Sequence, residues 1–66
     1  MRLHWIITLQ WPADDGLHTK TMDGTIEPNA GATRQAIYSD AYEFAAQHMG
    51  AKDAAVLSFI LEPDEL

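Results

Sequence analysis

Arg2-Leu3-His4-Trp5-Ile6-Ile7-Thr8-Leu9-Gln10-Trp11 is the stretch that decides the fold. Leu3, Trp5, Ile7, Leu9 and Trp11 occupy one phase of a period-two pattern, and Arg2, His4, Ile6, Thr8 and Gln10 the other. Successive side chains of a strand point to opposite faces, so this alternation predicts a long β-strand over residues 2–11 with one buried face.

The residues that follow punctuate it. Pro12 lacks a ladder donor and ends the strand. Pro12-Ala13-Asp14-Asp15-Gly16 is dense in turn formers and predicts a five-residue hairpin loop. A return strand is expected over 17–27, where Thr19, Thr21, Thr25 and Ile26 favour extended backbone. Asp23-Gly24 inside it allows a bulge or a second tight turn; the bulge is preferred, because a turn leaves only Thr25 to Glu27 as a further strand.

After the loop Pro28-Asn29-Ala30-Gly31-Ala32, Thr33 offers an N-cap. From Ile37 the apolar residues recur at helical spacing, with Ile37, Ala41, Phe44 and His48 in one row and Tyr38, Tyr42, Ala45 and Met49 in the next. A helix over 34–49 follows, about 24 Å long at ~1.5 Å per residue, with Gly50 as its C-terminal stop. Arg34 stands at the positive end of the helix dipole, a small local conflict. His48 near the other end complements the dipole. Ala54 to Leu61 is nearly all apolar and predicts the last strand, and residues 62–66 form a short acidic tail expected to fray.

The order is β-β-α-β in one α+β domain over 1–66. A helical crossover between the second and third strands is most compact with the first strand inserted between them. The expected fold is a two-layer split β-α-β, β-grasp-like arrangement: a three-stranded antiparallel sheet in the order 2-1-3 with the helix on one face. Leu3, Trp5, Ile7, Leu9, Leu57, Phe59 and Leu61 are expected against Ile37, Tyr38, Ala41, Phe44, Ala45 and Met49. The open face is then His4, Ile6, Thr8 and Gln10 beside Val56, Ser58 and Ile60.

Composition narrows the function classes. A chain of 66 residues buries only roughly 60% of its unfolded surface. It has no Cys, so disulfides and thiolate chemistry are excluded, and the remaining support is packing and self-association. The net charge is −6 and the four cations, Arg2, Lys20, Arg34 and Lys52, are scattered. A phosphate backbone or an anionic membrane surface would be repelled, so neither direct nucleic-acid nor membrane binding is expected. No run approaches the ~20 apolar residues of a membrane span. The N-terminal stretch carries no small-residue cleavage site, and the expected compartment is the cytoplasm.

The candidate chemistry is sparse. His4, His18 and His48 lack the short spacing of a metal motif, although His4 and His18 can be drawn facing each other across the hairpin. Ser39 and Ser58 lie in no nucleophile elbow. The glycines stand alone at turns and caps, so no phosphate-cradling loop exists. No catalytic, cofactor-binding or metal site is expected, and the chain is not expected to be an enzyme. What remains is an interaction surface: His4, Ile6, Thr8, Val56, Ser58 and Ile60, an apolar centre with polar surroundings. The last strand is expected at a sheet edge, yet Val56 to Leu61 carries no charge or Pro to guard it. Either a protein partner pairs with it or the strand order is other than 2-1-3; antiparallel pairing of two copies about a two-fold axis gives a six-stranded dimer. A second reading is an acidic inhibitor that occupies a basic site on another protein.

Gly24-Thr25-Ile26, Pro28, Gly31-Ala32-Thr33-Arg34 and Tyr38, after a Trp-rich first strand, resemble small proteins of uncharacterised function from actinobacteria and their phages. The resemblance covers most of the chain and is carried by this loop-to-helix motif. It implies a compact β-β-α-β domain in a bacterial cytoplasm and assigns no activity and no site residues. The topology is also similar to β-grasp domains, the sulfur-carrier and ubiquitin-like group. Their working end is a C-terminal Gly-Gly; this chain ends Asp64-Glu65-Leu66, so that function does not transfer.

Overall fold

The computed structural model describes residues 1–65; Leu66, the last residue of the expected acidic tail, lies outside the described residues. The chain forms β1 (Leu3–Ala13), β2 (Gly16–Ile26), α1 (Arg34–Met49) and β3 (Ala55–Pro63). The three strands make one antiparallel sheet in the order β2-β1-β3, as the alternation and the crossover predict.

The odd-numbered face of β1 is the core. Trp5, Ile7, Leu9 and Trp11 are buried, Ile7 and Leu9 completely. Full burial of each aliphatic side chain contributes about 1.5–3 kcal/mol. From α1 the buried residues are Ile37, Ala41 and Ala45, and the two alanines let the helix approach the sheet closely. Phe44, expected in the core, is 48% exposed. It meets the core at Trp5 in a T-shaped arrangement with ring centroids 6.0 Å apart.

Both helix ends are closed as the sequence predicts. Thr33 is extended, and its hydroxyl accepts from Ala36 N–H at 3.1 Å. Gly50 adopts φ 65°, where a side chain would be strained. Its amide and that of Ala51 donate to the carbonyls of Gln47 and Ala46, closing a Schellman motif. Arg34 does stand at the positive end of the helix, and its guanidinium lies over the Phe59 ring at 5.1 Å, an attraction that offsets the dipole conflict. Tyr38 meets Phe59 edge-on at 5.0 Å, and the Tyr42 hydroxyl donates to the Ala54 carbonyl at 3.1 Å. These contacts fasten α1 to β3.

Five expectations about the strands need correction. The hairpin turn is two residues, Asp14-Asp15, not five; Gly16 takes the positive φ of 122°, and Ala13 pairs with Gly16. Pro12 lies inside β1, beyond the pairing with β3, which stops at Gln10. Asp23-Gly24 is neither a bulge nor a turn, because the β1–β2 register runs unbroken from Leu3↔Ile26 to Ala13↔Gly16. The last strand is longer than expected: it continues to Pro63, and Asp64 N–H donates to the Arg2 carbonyl at 3.0 Å, so residues 62–64 are held rather than frayed.

The fifth correction moves side chains between faces. The register shifts between Thr8 and Leu9: Thr8 pairs with Ser58, but Leu9 pairs with Val56. Leu57 is the extra residue of a bulge. Val56 therefore packs against the core cluster instead of lying on the open face. Leu57, expected under the helix, is unpaired and 54% exposed. A bulge shifts the phase of a strand by one, which strict alternation does not anticipate.

The Asp64-to-Arg2 bond also sets which backbone groups are free. Hydrogen-bonded and non-hydrogen-bonded pairs alternate along an antiparallel ladder. With Arg2 opposite Asp64 bonded, the pairs Ile6↔Ile60 and His4↔Glu62 are bonded too, and Phe59, Leu61 and Pro63 turn their backbone groups outward. Pro63 thus removes no bond from the sheet. By the same alternation Pro12 faces the side that β3 does not reach.

Gly24 has a packing role. It pairs with Trp5, and a Cβ placed on it would stand 2.7 Å from Trp5 Cζ2 and 2.9 Å from Cε2. The indole lies across the bare backbone of its neighbour strand, which requires the absence of a side chain there. Gly24→Ala is expected to lower stability by about 2 kcal/mol, a fall of roughly 10 °C in Tm, by overpacking. Thermal unfolding of Gly24→Ala, Trp5→Phe and the pair checks this: the double variant should lose less than the two single losses added together.

Candidate functional site

The face of the sheet away from α1 is built in rows across β2, β1 and β3. Thr25, His4 and Glu62 form one row, and Asp23, Ile6 and Ile60 the next. Thr21, Thr8 and Ser58 follow, then Thr19, Gln10 and Ala55. Of the six residues expected to share a surface, the structure brings together His4, Ile6, Thr8, Ser58 and Ile60. It removes Val56 to the helix side.

The polar side chains of β1 on this face all bond toward β2. His4 Nε2 is 2.9 Å from Asp23 Oδ2. The hydroxyls of Thr8 and Thr21 are 2.9 Å apart, and Gln10 Nε2 donates to Thr19 Oγ1 at 3.2 Å. One half of the face is therefore a cross-strand ladder of satisfied polar groups. The β3 half is different. Ile6 and Ile60 lie side by side there, and Ile60 is 42% exposed. Beside them runs a strand with no charged residue from Ala55 to Leu61, which forms one edge of the three-stranded sheet.

Asp23 and Thr21 were not singled out in the sequence as partners for the β1 residues. The signal was present: the odd positions of β2 carry Thr19, Thr21, Asp23 and Thr25 in strict period two. Pairing them with the correct residues of β1 needed the true turn length, because a hairpin's register is set by its turn.

The histidines do not converge. His4 points to the open face, whereas His18 pairs with Trp11 on the helix side and packs against its indole at 5.8 Å, so the two do not face each other. His48 stacks on Phe44 at 4.1 Å, and its Nδ1 lies 3.0 Å from the Phe44 carbonyl, donating to it. Among the described residues no three His, Cys, Asp or Glu side chains are grouped to hold a metal ion. No helix among them is long and apolar enough to cross a membrane.

On the helix side a groove of about 340 Å³ opens between α1 and β2, lined by Trp5, Gly24, Ile26, Ile37, Ala41 and Phe44, with Asp40 at its edge. It exists because α1 is fastened toward β3, leaving β2 uncovered. Its apolar lining adjoins the core, and its polar side chains are Thr25, Asp23, which bonds His4, and Asp40.

The comparisons with known proteins add nothing to this geometry: no family model, no curated protein and no solved structure matches the chain.

At the hairpin tip, His18 Nε2 lies 2.8 Å from Asp15 Oδ1. This hydrogen bond, aided by a backbone amide and by the imidazolium charge, holds the Asp15 carboxyl below its ordinary 3.8. A lowered folded-state value means that the pair favours folding above the ordinary carboxylate range, and that this is lost as pH falls through the folded value. In His18→Ala the Asp15 carboxyl should titrate closer to 3.8, read from its carboxyl carbon shift by NMR. An unchanged midpoint would show that the backbone amide alone sets it.

Proposed function

We propose that this chain is a small protein-interaction module that binds a protein partner through the outer edge of β3 and the adjoining Ile6–Ile60 half of the open sheet face. The observation that carries this reading is the division of that face. Toward β2 the polar groups are bonded to one another, and toward β3 Ile6 and Ile60 form an apolar centre between Ser58 and Glu62, beside an edge without charge from Ala55 to Leu61. Exposed strand edges are ordinarily guarded by charge, Pro or a bulge. Here the bulge at Leu57 and Pro63 guard the two ends, leaving Ser58 to Glu62 open between them. The resemblance to actinobacterial and phage proteins supports a bacterial cytoplasm as its setting.

The acidic-inhibitor reading has less support. The carboxylates are spread over the hairpin tip at Asp14 and Asp15, the helix at Asp40 and Glu43, the loop at Asp53, and the far end at Asp23, Glu27, Glu62, Asp64 and Glu65, where Arg2 bridges Glu27 and Asp64 and His4 bonds Asp23. None of these groups forms a dense single-sign face of the kind that steers a cationic partner. No reaction is assigned to the chain.

A photo-crosslinking residue placed at position 60 in the producing cell tests the reading, with the same residue at position 25 on the β2 side as control. A discrete crosslinked protein from position 60 and none from position 25 is the expected result. Equal labelling at both positions, or none at position 60, would refute it.

A further inference from the structure

The molecule exposes more surface than its mass requires. Its accessible surface is 4769 Å², against about 4,200 Å² for a compact monomer of 7.3 kDa. Its radius of gyration is 12.7 Å, against about 11 Å for a compact chain of this length. The difference of about 600 Å² is of the order that one partner contributes to a standard interface, about 800 Å².

The open segment of β3 has a definite centre. The bulge at Leu57 interrupts the strand's phase on one side, and on the other Pro63, whose backbone faces outward, has no N–H to donate, so five residues remain, Ser58 to Glu62, with Ile60 in the middle. Within that segment the outward backbone groups belong to Phe59 and Leu61, by the alternation set at Asp64 and Arg2. A strand laid antiparallel on this edge, centred on Ile60, meets these groups only if its own outward residues fall opposite Phe59 and Leu61. The segment itself satisfies that condition: turned about a two-fold axis at Ile60, Leu61 falls opposite Phe59 and Phe59 opposite Leu61.

Resting on the interaction reading above, we infer that the occupant of the β3 edge is a second copy of this chain, paired antiparallel about a two-fold axis at Ile60. The pairing gives a six-stranded sheet with both helices on one face. Phe59 and Leu61 of one copy exchange backbone hydrogen bonds with Leu61 and Phe59 of the other. On the open face, Ile6 and Ile60 continue into Ile60 and Ile6 of the second copy, one apolar row of four with Asp23 at each end. On the helix face each Phe59–Leu61 junction lies under Tyr38 and Arg34. Glu62 comes opposite Ser58, whose hydroxyl can donate to it, and no carboxylate faces another across the new ladder.

The absence of Cys makes the geometry directly measurable. Two Ile60 residues in a non-hydrogen-bonded pair have Cα atoms about 4.5 Å apart, within disulfide reach. Two Ser58 residues are about 14 Å apart, four residues at ~3.4 Å each. Under mild oxidation Ile60→Cys should form covalent dimers at least about tenfold faster than Ser58→Cys or the β2 control Thr25→Cys, because only the first pair meets disulfide geometry. A mixture of Ser58→Cys and Glu62→Cys chains should form the mixed dimer. By light scattering the unmodified chain should show twice its 7.3 kDa mass, and more completely at high salt, which screens the repulsion between two copies of charge −6. A cationic partner would show the opposite salt dependence. An unmodified chain that stays at single mass, or Ile60→Cys oxidising no faster than Thr25→Cys, overturns the self-pairing. If position 60 crosslinks instead to a different protein, self-pairing fails and the interaction reading stands.

Discussion

One constraint governs this molecule: a single helix has to cover a three-stranded sheet. An α-helix with its side chains is about 10–12 Å across, and three strands spaced ~4.8 Å apart are wider than that. The helix is placed where it buries most, over the odd face of β1, and is fastened toward β3 by Tyr38, Tyr42 and Arg34. Everything else follows from what it cannot cover. The groove along β2 stays open, and so does the whole opposite face.

The uncovered surfaces are handled differently on the two sides of β1. On the β2 side the strand carries threonines and an aspartate that bond to Thr8, Gln10 and His4. Such pairs supply modest energy each, and they leave little for a partner to gain. On the β3 side Ile6 and Ile60 form an apolar centre on the open face, beside the outward backbone groups of Phe59 and Leu61 at the strand edge. Burying those groups against a matching strand yields both hydrogen bonds and apolar contact, so binding energy is concentrated there.

The candidate site was partly legible from the residues. Ile6 and Ile60 share an open face because each lies out of phase with a buried series, and period two makes that visible. Val56 was misplaced because a bulge at Leu57 shifts the phase, and Leu57 was misplaced with it. Nothing local marks that bulge: Leu57 is an ordinary strand former among strand formers. It arises where β3 must pair with Thr8 and Leu9 while also delivering both Val56 and Phe59 to the core. Gly24 was misjudged for a related reason. A glycine after aspartate signals a turn locally, and its actual cause, the Trp5 indole, sits nineteen positions away in the chain.

The sequence by itself determined the element order, the helix limits at Thr33 and Gly50, the buried face of β1 and the strand order 2-1-3. Those depend on periodicity, caps and connection geometry, which are properties of neighbouring residues. The tertiary structure alone decided the two-residue turn, the register it imposes, the bulge in β3, the Trp5–Gly24 packing and the outward direction of the Phe59 and Leu61 amides. Each of these is a relation between strands distant in sequence, set when side chains from both must fill one core without overlap.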